Sequence, residues 1–157
     1  MPENFISEPL PEDIPSAELR HVYEMWLSWG RGSTLQQREH LKPDMLIDHL
    51  PYLVLVDYVA AEKRFQVRLI GTKYTEAIGF EVTGKFVDEV PKTEAMQARF
   101  SWIVENKKPY YAYLDEMAWA DKDYRHYAVV GCPLFDDNGD VNMILYRVSF
   151  DNIAATA

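Results

Sequence analysis

Two closely spaced glycines constrain this chain more than any other feature. They lie in Ile78-Gly79-Phe80-Glu81-Val82-Thr83-Gly84-Lys85, directly after an apolar strand-like run and a short helical one. Glycine adopts a positive φ without the steric penalty that a Cβ brings. We therefore expect Gly79 to end a helix and Gly84 to form a second sharp turn. A chain that turns twice in so few residues wraps around a neighbouring element.

The composition is typical of one acidic globular domain. The chain has 157 residues, of which 48% are hydrophobic and 13% aromatic, enough for a single core. Its 25 acidic and 16 basic residues give a net charge of -9, which disfavours binding to nucleic acid and to anionic membranes. Cys132 is the only cysteine, so no disulfide can form within the chain. Because we find no transmembrane run and no signal-peptide pattern, we expect a cytoplasmic protein.

The chain divides into three parts. Residues 1–15 contain four prolines and several acids, and we expect an extended, weakly ordered segment. Residues 16–50 are predicted to hold N-terminal helices, the first over 16–29 with Ser16 as its N-cap and the second after Pro43. Helical spacing gives the first of them an aromatic-rich stripe, whose members are Leu19, Val22, Tyr23, Trp26 and Trp29. Such a stripe either packs on the chain's own core or forms a dimer contact, so these five residues are our dimer-interface candidates.

Residues 51–153 alternate between strand and helix patterns. The runs 52–59 and 65–70 are strand-like and joined by a short polar turn, which predicts an antiparallel hairpin. Two helices and then three strands follow, at 72–78, 93–106, 109–117, 124–134 and 141–150. Asn138-Gly139 tolerates the positive φ of a tight turn, so the last two strands should pair. This order predicts an α+β fold built on an antiparallel sheet.

Three segments resemble the PAS sensory-domain superfamily in their order and spacing. They are Gly79-Phe80-Glu81-Val82-Thr83-Gly84-Lys85, Pro133-Leu134-Phe135-Asp136-Asp137-Asn138-Gly139 and Ser149-Phe150-Asp151-Asn152-Ile153. The resemblance covers about residues 51–153. Trp26, Leu50-Pro51, Arg68-Leu69-Ile70-Gly71-Thr72 and the Gly84 turn are also similar to a bacterial subfamily of single-domain PAS proteins. Gly71 departs from the family pattern, because many PAS domains carry an asparagine there, and this argues against signalling through that asparagine's hydrogen bonds.

The resemblance implies a five-stranded antiparallel sheet with helices on one face, a ligand pocket between them and an extra N-terminal helix. It also implies a sensory or protein-interaction domain without catalytic activity, which binds a small organic ligand and signals as a homodimer or through a downstream protein. Side chains with hydrogen-bonding tips supply our candidate pocket residues: Arg68, Tyr74, Trp102, Tyr111, Tyr113, His126 and Tyr146. For these residues an alternative to ligand binding stays open: Arg68 would form a salt bridge with a nearby carboxylate, and the aromatic residues would be ordinary members of the hydrophobic core.

The identity of any cofactor stays unknown. Flavin photosensors of this superfamily carry a cysteine within a motif resembling Asn-Cys-Arg-Phe-Leu-Gln, and residues 72–106 contain none, so we do not expect a flavin adduct. Haem-binding members place a histidine on the long helix, and residues 93–106 contain none, so we do not expect haem held by a helix histidine; His126, on a strand, stays open as a haem ligand. We predict no metal site, because His40, His49 and the 136–140 loop lack further ligands at metal spacing.

Two alternatives to a ligand sensor remain. One is a small α+β-cup enzyme, with Asp57 or Asp115 as general base beside Tyr74 or Tyr113 as oxyanion donor. The other is an interaction scaffold that binds no ligand, for which we expect no cavity. Cys132 and His126 cannot form a catalytic dyad, since six residues of strand separate them by roughly 20 Å.

Overall fold

The computed structural model describes residues 5–32, 34–114 and 126–151. The strands in these ranges are β1 (Phe5–Ser7), β2 (Leu53–Val59), β3 (Arg64–Ile70), β4 (Tyr110–Leu114), β5 (His126–Phe135) and β6 (Val141–Asp151). The α-helices are α1 (Ala17–Trp29), α2 (Pro43–Leu46), α3 (Thr72–Ile78) and α4 (Glu94–Asn106). Short 3-10 turns occur at Pro11–Asp13, Arg38–His40, Leu50–Tyr52 and Val87–Glu89.

The described strands form one antiparallel sheet in the order β1-β4-β5-β6-β2-β3. Its last five strands are the predicted sheet, with β2 and β3 as the expected hairpin and β5 and β6 as neighbours. The sixth strand, β1, corrects our prediction of five strands and comes from the segment that we expected to be only extended. Three residues are too few for an alternating pattern, so this strand could not be predicted from hydrophobic periodicity. The Phe5 ring attaches it to the fold, with centroids 4.9 Å from that of Tyr110 and 5.0 Å from that of Trp102.

Helices cover both faces of the sheet. On one face, the Phe100 ring of α4 meets the Tyr146 ring of β6 edge to face at 5.5 Å. On the other face, α1 packs against β5 and β6, and Trp26 Nε1 donates to the Pro133 carbonyl at 2.8 Å. Because side chains alternate along a strand, neighbouring residues of β6 lie on opposite faces of the sheet: Tyr146 faces α4, whereas Arg147 faces α1. The sheet therefore connects two separate helical layers.

Gly79 and Gly84 adopt the predicted positive φ. Gly79 follows α3 with a φ of 93°, and its N–H donates to the Thr75 carbonyl. Gly84 has a φ of 85°, and its N–H donates to the Val67 carbonyl of β3 at 2.8 Å. Between them, the Glu81 carboxylate accepts hydrogen bonds from the backbone N–H groups of Val82 and Thr83. The segment is thus closed at both ends and folds back onto the sheet.

The aromatic stripe of α1 lies within the chain's own core. Leu19, Val22, Tyr23, Trp26 and Trp29 are each 8% exposed or less. The helix begins as predicted, because Ser16 Oγ accepts from Leu19 N at 3.3 Å. This burial matches the alternative that the sequence left open, in which the stripe packs on its own sheet. A dimer contact through these five side chains stays a prediction and would require α1 to leave the sheet.

A buried chain of polar side chains links β6 to α1. Arg147 is only 4% exposed, and its Nε donates to His49 Nδ1 at 3.3 Å. His49 Nε2 lies 2.8 Å from His21 Nδ1. Since His49 Nδ1 accepts from Arg147, we assign the ring proton of His49 to Nε2, which then donates to His21. The Arg147 guanidinium also donates to the Val148 carbonyl and lies 4.7 Å from the centre of the Tyr52 ring.

This network predicts that acid destabilises the fold. Burial, the Arg147 charge and His21 together hold the pKa of His49 below its usual value, whereas Asp48 and Glu18 oppose them. An unfolded histidine titrates near about pH 6.5. Below that pH the unfolded chain takes up a proton that folded His49 resists, so the free energy of unfolding should fall as the pH falls through about 6.5. Denaturant unfolding on both sides of this pH measures the slope.

His49→Gln is the test variant, because glutamine cannot titrate in this range. We expect it to show a flatter dependence of unfolding free energy on pH than the parent chain. His40→Gln is the matched control, since His40 stacks on Trp29 and takes no part in the Arg147 network. Equal slopes in the parent chain and His49→Gln would refute the assignment.

Candidate ligand cavity

An apolar cavity of about 40 Å³ lies between the sheet and the layer formed by α3, α4 and the segment that joins them. The sheet and the helices supply Val54, Val56, Val67, Ile70, Tyr74, Ile78, Met96, Phe100 and Tyr146, and the connecting segment supplies Val82, Val87, Val90 and Thr93. This lining includes no carboxylate, histidine or cysteine. The cavity can therefore hold an apolar group, and the ionisable side chains on its walls are Tyr74 and Tyr146, whose pKa values burial raises.

The size of the cavity limits what it holds in this arrangement. A water molecule needs roughly 10–15 Å³ measured in this way, and sites for drug-sized ligands measure roughly 300–1,000 Å³. A group of a few atoms therefore fits, whereas a flavin does not. A larger ligand must move a wall, and the segment 79–93 is the wall with the least regular structure. Thr93 Oγ1 holds this segment by donating to the Val87 and Val90 carbonyls at 2.9 and 2.8 Å.

Next to the cavity, α4 carries a buried positive charge. Arg99 is 4% exposed, and none of the described carboxylates forms a salt bridge with it. Its positive charge acts to lower the pKa values of Tyr110 and Tyr146, whose side chains are fully buried. Within the described ranges, Arg99 Nε and the hydroxyl oxygens of Tyr110 and Tyr146 make no hydrogen bond of good geometry, although Tyr110 lies close to Arg99 and Tyr146 close to Tyr74. We call these three residues the Arg99 cluster.

The hydroxyl groups of the Arg99 cluster keep their protons at neutral pH. Burial raises the pKa of Tyr110 to about 12, although the Arg99 charge opposes this rise. Burial also raises the pKa of Tyr146 well above its usual value. All three groups of the cluster can therefore donate hydrogen bonds. The Tyr146 ring lines the cavity, so one member of the cluster borders the apolar space, whereas Arg99 and Tyr110 lie behind its lining.

We compared the chain with known proteins. No family model and no curated protein matches its sequence. Among solved structures, it is similar to the PAS domain of histidine kinase ThkA, with 13% identity, a TM-score of 0.50 and coverage of 62% of this chain and 96% of that chain. It is also similar to a sensory box sensor histidine kinase from Vibrio cholerae, with 12% identity, a TM-score of 0.52 and coverage of 70% and 89%.

A third similar structure is a light-oxygen-voltage domain studied with a flavin analogue, at 12% identity, a TM-score of 0.52 and coverage of 71% of this chain and 85% of that chain. The chain has a PAS fold. At these identities the similarity shows the fold alone, so the occupant of the PAS cavity must be argued from this chain's own residues. The similarity to a particular bacterial PAS subfamily stays a prediction.

The PAS fold brings together only part of our candidate pocket. Tyr74 and Tyr146 line the cavity, and their ring centroids are 6.2 Å apart. Tyr111 and Tyr113 alternate with Tyr110, which packs towards α4, so they lie on the opposite face of β4. The sequence predicted tyrosines in β4 but could not tell which parity faces the helices.

The remaining candidates lie outside the cavity lining. Trp102 contacts Phe5 and Tyr110 near β1. Arg68 forms a salt bridge with Asp57, with Nε 2.8 Å from Oδ2, on the exposed side of the hairpin, as in the alternative that the sequence left open. His126 is the first residue of β5 and is opposite Asp151 in the register, but its side chain lies outside the described residues.

Two functional candidates were missed in the sequence, and one of them left a readable signal. Arg99 lies three residues after Met96 and four before Ile103, so helical spacing puts it on the buried stripe of α4. A charge in the middle of such a stripe indicates a site that needs it. Tyr110 left no comparable signal, because three tyrosines within four residues fit either strand parity.

Other places in the PAS domain are weaker candidates. A depression of about 460 Å³ between the Arg38–His40 turn and the β5–β6 turn is shallow and lined mostly by polar residues, which include Glu39, Asp136 and Asp137. Asp57 pairs with Arg68 away from the cavity, and Asp115 lies outside the described residues. In the described ranges, no group of three or more His, Cys, Asp or Glu side chains is placed to hold a metal ion. None of the described helices is both long and apolar enough to cross a membrane.

Proposed function

We propose that this PAS domain is a sensory module that binds a small organic ligand between α4 and the sheet and has no catalytic activity of its own. The apolar cavity carries this proposal, since its walls come from α3, α4 and three strands of the sheet. A scaffold without a ligand needs no such space. An enzyme needs an acid or base in the lining, and the lining offers no carboxylate, histidine or cysteine, only Tyr74 and Tyr146, whose pKa values burial raises well above the usual value.

The proposed signal passes through β6. Tyr146 lines the cavity on one face of this strand, and Arg147, the next residue, holds His49 on the other. His49 contacts His21 of α1. A ligand that moves Tyr146 therefore shifts the strand on which α1 packs. Such a ligand must bind one arrangement of α1 more tightly than the other.

We further propose that α1 passes this signal to a downstream protein or to a second copy of the chain in the cytoplasm, without nucleic acid or membrane as a partner. The net charge of -9 supports the exclusion of phosphate backbones and anionic lipids. Sedimentation velocity of the intact chain over a range of concentrations tests the homodimer. A monomer mass throughout would contradict the homodimer and leave the downstream protein as the receiver.

Filling the cavity should stabilise the domain and abolish its response to ligands. Val67→Ile combined with Val82→Ile adds two methyl groups from opposite walls, so we expect the free energy of unfolding to rise by roughly 0.5–1 kcal/mol. The measurement is thermal unfolding with a metabolite library, followed by native mass spectrometry of the compounds that stabilise the parent chain. We expect those compounds to lose their effect on the filled variant.

Val59→Ile is the matched control, because Val59 lies in β2 outside the cavity lining and is half-buried. It should respond to the same compounds as the parent chain. A library in which nothing stabilises the parent chain, or a filled variant that responds as the parent does, would contradict a ligand in this cavity.

A further inference from the structure

We propose that the ligand is a small organic carboxylate, whose charged group binds the Arg99 cluster and whose short apolar tail occupies the cavity. This inference rests on the proposed ligand-binding function and names its chemical class. It starts from Arg99, a buried charge on α4 with no partner among the described carboxylates.

The buried charge of Arg99 requires a counter-ion. An arginine stays protonated even when it is buried, and a buried charge without a counter-ion is strongly unfavourable. The tyrosine hydroxyls beside Arg99 supply dipoles but no negative charge, because they keep their protons at neutral pH. One negative charge neutralises the site. A carboxylate brings one, whereas a phosphate dianion would leave an excess charge buried.

The Arg99 cluster presents hydrogen-bond donors to a ligand. Arg99 Nε and the Tyr110 and Tyr146 hydroxyls can all donate, and none of the three atoms makes a hydrogen bond of good geometry within the described residues, although Tyr110 lies close to Arg99 and Tyr146 close to Tyr74. A carboxylate has two oxygens and only accepts hydrogen bonds, so it matches this set of donors. A primary amide replaces one oxygen with a donor group and leaves part of the cluster unsatisfied. Hydrogen bonds between charged partners are also the stronger ones.

The cavity beside Tyr146 has room for a short apolar tail. The Phe100 and Tyr146 rings border the cavity, and Arg99 precedes Phe100 in α4. Tyr146 belongs to both the cluster and the cavity lining, so a molecule held by the cluster reaches the space lined by valine and isoleucine past the Tyr146 ring. The cavity of about 40 Å³ suits a short aliphatic tail, and longer tails must displace the segment 79–93.

The experiment uses the intact chain and matched pairs of compounds. The probes are acetate, butyrate, hexanoate and benzoate, each compared with its primary amide by isothermal titration calorimetry. We expect the best acid to bind about tenfold more tightly than its amide, since the two differ in charge but hardly in shape. Equal binding of acid and amide would overturn the carboxylate assignment and leave the proposed function standing. If no probe binds, the carboxylate assignment is overturned, and the library screen with the filled variant decides the proposed function separately.

Arg99→Met tests the residue itself. Methionine keeps much of the length of the side chain and removes the charge, so the preference for acid over amide should fall from about tenfold to about one. The ligand-free variant should melt at the same temperature as the parent or higher, because an unpaired buried charge has gone. A merely structural arginine predicts the opposite, a lower melting temperature with no change in ligand preference. Arg68→Met, which removes an exposed arginine paired with Asp57, is the control and should leave the preference unchanged.

A second pair of variants keeps the proposal testable if Arg99→Met does not fold. Tyr110→Phe and Tyr146→Phe each remove one hydroxyl of the cluster and keep the ring. Each should weaken binding of the acid by roughly threefold to tenfold. An unchanged affinity for the acid in both variants would overturn the assignment.

Discussion

Replacing Gly71 with alanine is expected to destabilise the domain by roughly 3 kcal/mol or more. A Cβ at this position would lie 2.2 Å from the Leu50 carbonyl oxygen and 2.3 Å from the Pro51 carbonyl carbon and oxygen. These are backbone atoms of the 3-10 turn that leads into β2, and the Gly71 N–H donates to the Leu53 carbonyl at 2.8 Å beside them. The contact can be relieved only by moving the turn away from the end of β3. Denaturant unfolding followed by circular dichroism measures the loss.

Gly30→Ala is the matched control for this prediction. The atoms nearest to a Cβ at Gly30 belong to the far end of the Gln36 side chain, which can rotate away. Gly30 has a φ of -97°, so alanine adopts its backbone conformation without strain. We expect a change of about 0.5 kcal/mol or less. A Gly71→Ala variant as stable as Gly30→Ala would show that the turn shifts easily, against our description of this junction.

The same junction explains the departure from the usual PAS asparagine. The carbonyl groups of Leu50 and Pro51 occupy the space that any side chain at Gly71 would need. Signalling through the hydrogen bonds of a side chain at this position is therefore unavailable to this chain. The Arg147–His49–His21 chain is the route that we propose instead.

Trp26→Ala should have the second large effect, a loss of about 3–5 kcal/mol in unfolding free energy. Trp26 is 5% exposed, and its ring packs among the buried residues between α1 and the sheet. The substitution also leaves the Pro133 carbonyl without its 2.8 Å hydrogen bond. The measurement is denaturant unfolding at several protein concentrations, because a residue of the chain's own core destabilises each copy independently of concentration.

Leu27→Ala is the control on the same helix, since Leu27 lies on its outer surface. It should cost about 1 kcal/mol or less. If Trp26 instead forms a dimer contact, Trp26→Ala will lower the dimer population and leave the stability of the monomer intact. That outcome would contradict the packing of α1 on its own sheet.

The sequence predicted those parts of the fold that local rules govern. Gly79 and Gly84 indicate turns because glycine adopts a positive φ without a steric penalty. The 52–59 and 65–70 runs were predicted to pair because a short polar turn joins them. Strand β1 could not be predicted, because Phe5 is attached by contacts with Trp102 and Tyr110 across a long stretch of sequence.

The candidate site was predicted less completely than the fold. Tyr74 and Tyr146 line the space between the helices and the sheet, and their binding of a ligand stays a prediction. Tyr111 and Tyr113 were placed there as well, but a one-residue change of strand register exchanges the two faces, and three nearby tyrosines fit both registers. Arg99 was overlooked although its spacing from Met96 and Ile103 puts it on the buried stripe of α4, and only its lack of a carboxylate partner required the structure.

Methyl NMR of the intact chain, titrated with hexanoate and in parallel with hexanamide, tests the central claim most directly. We predict saturable shifts at the methyl groups of Val56, Val67 and Val82, which line the cavity, at hexanoate concentrations about tenfold below those required of hexanamide. The methyl groups of Leu69, on the exposed side of the hairpin, should stay unchanged at these concentrations. Shifts confined to exposed methyl groups such as those of Leu69, or no saturable shift with either compound, would contradict a carboxylate ligand in this cavity.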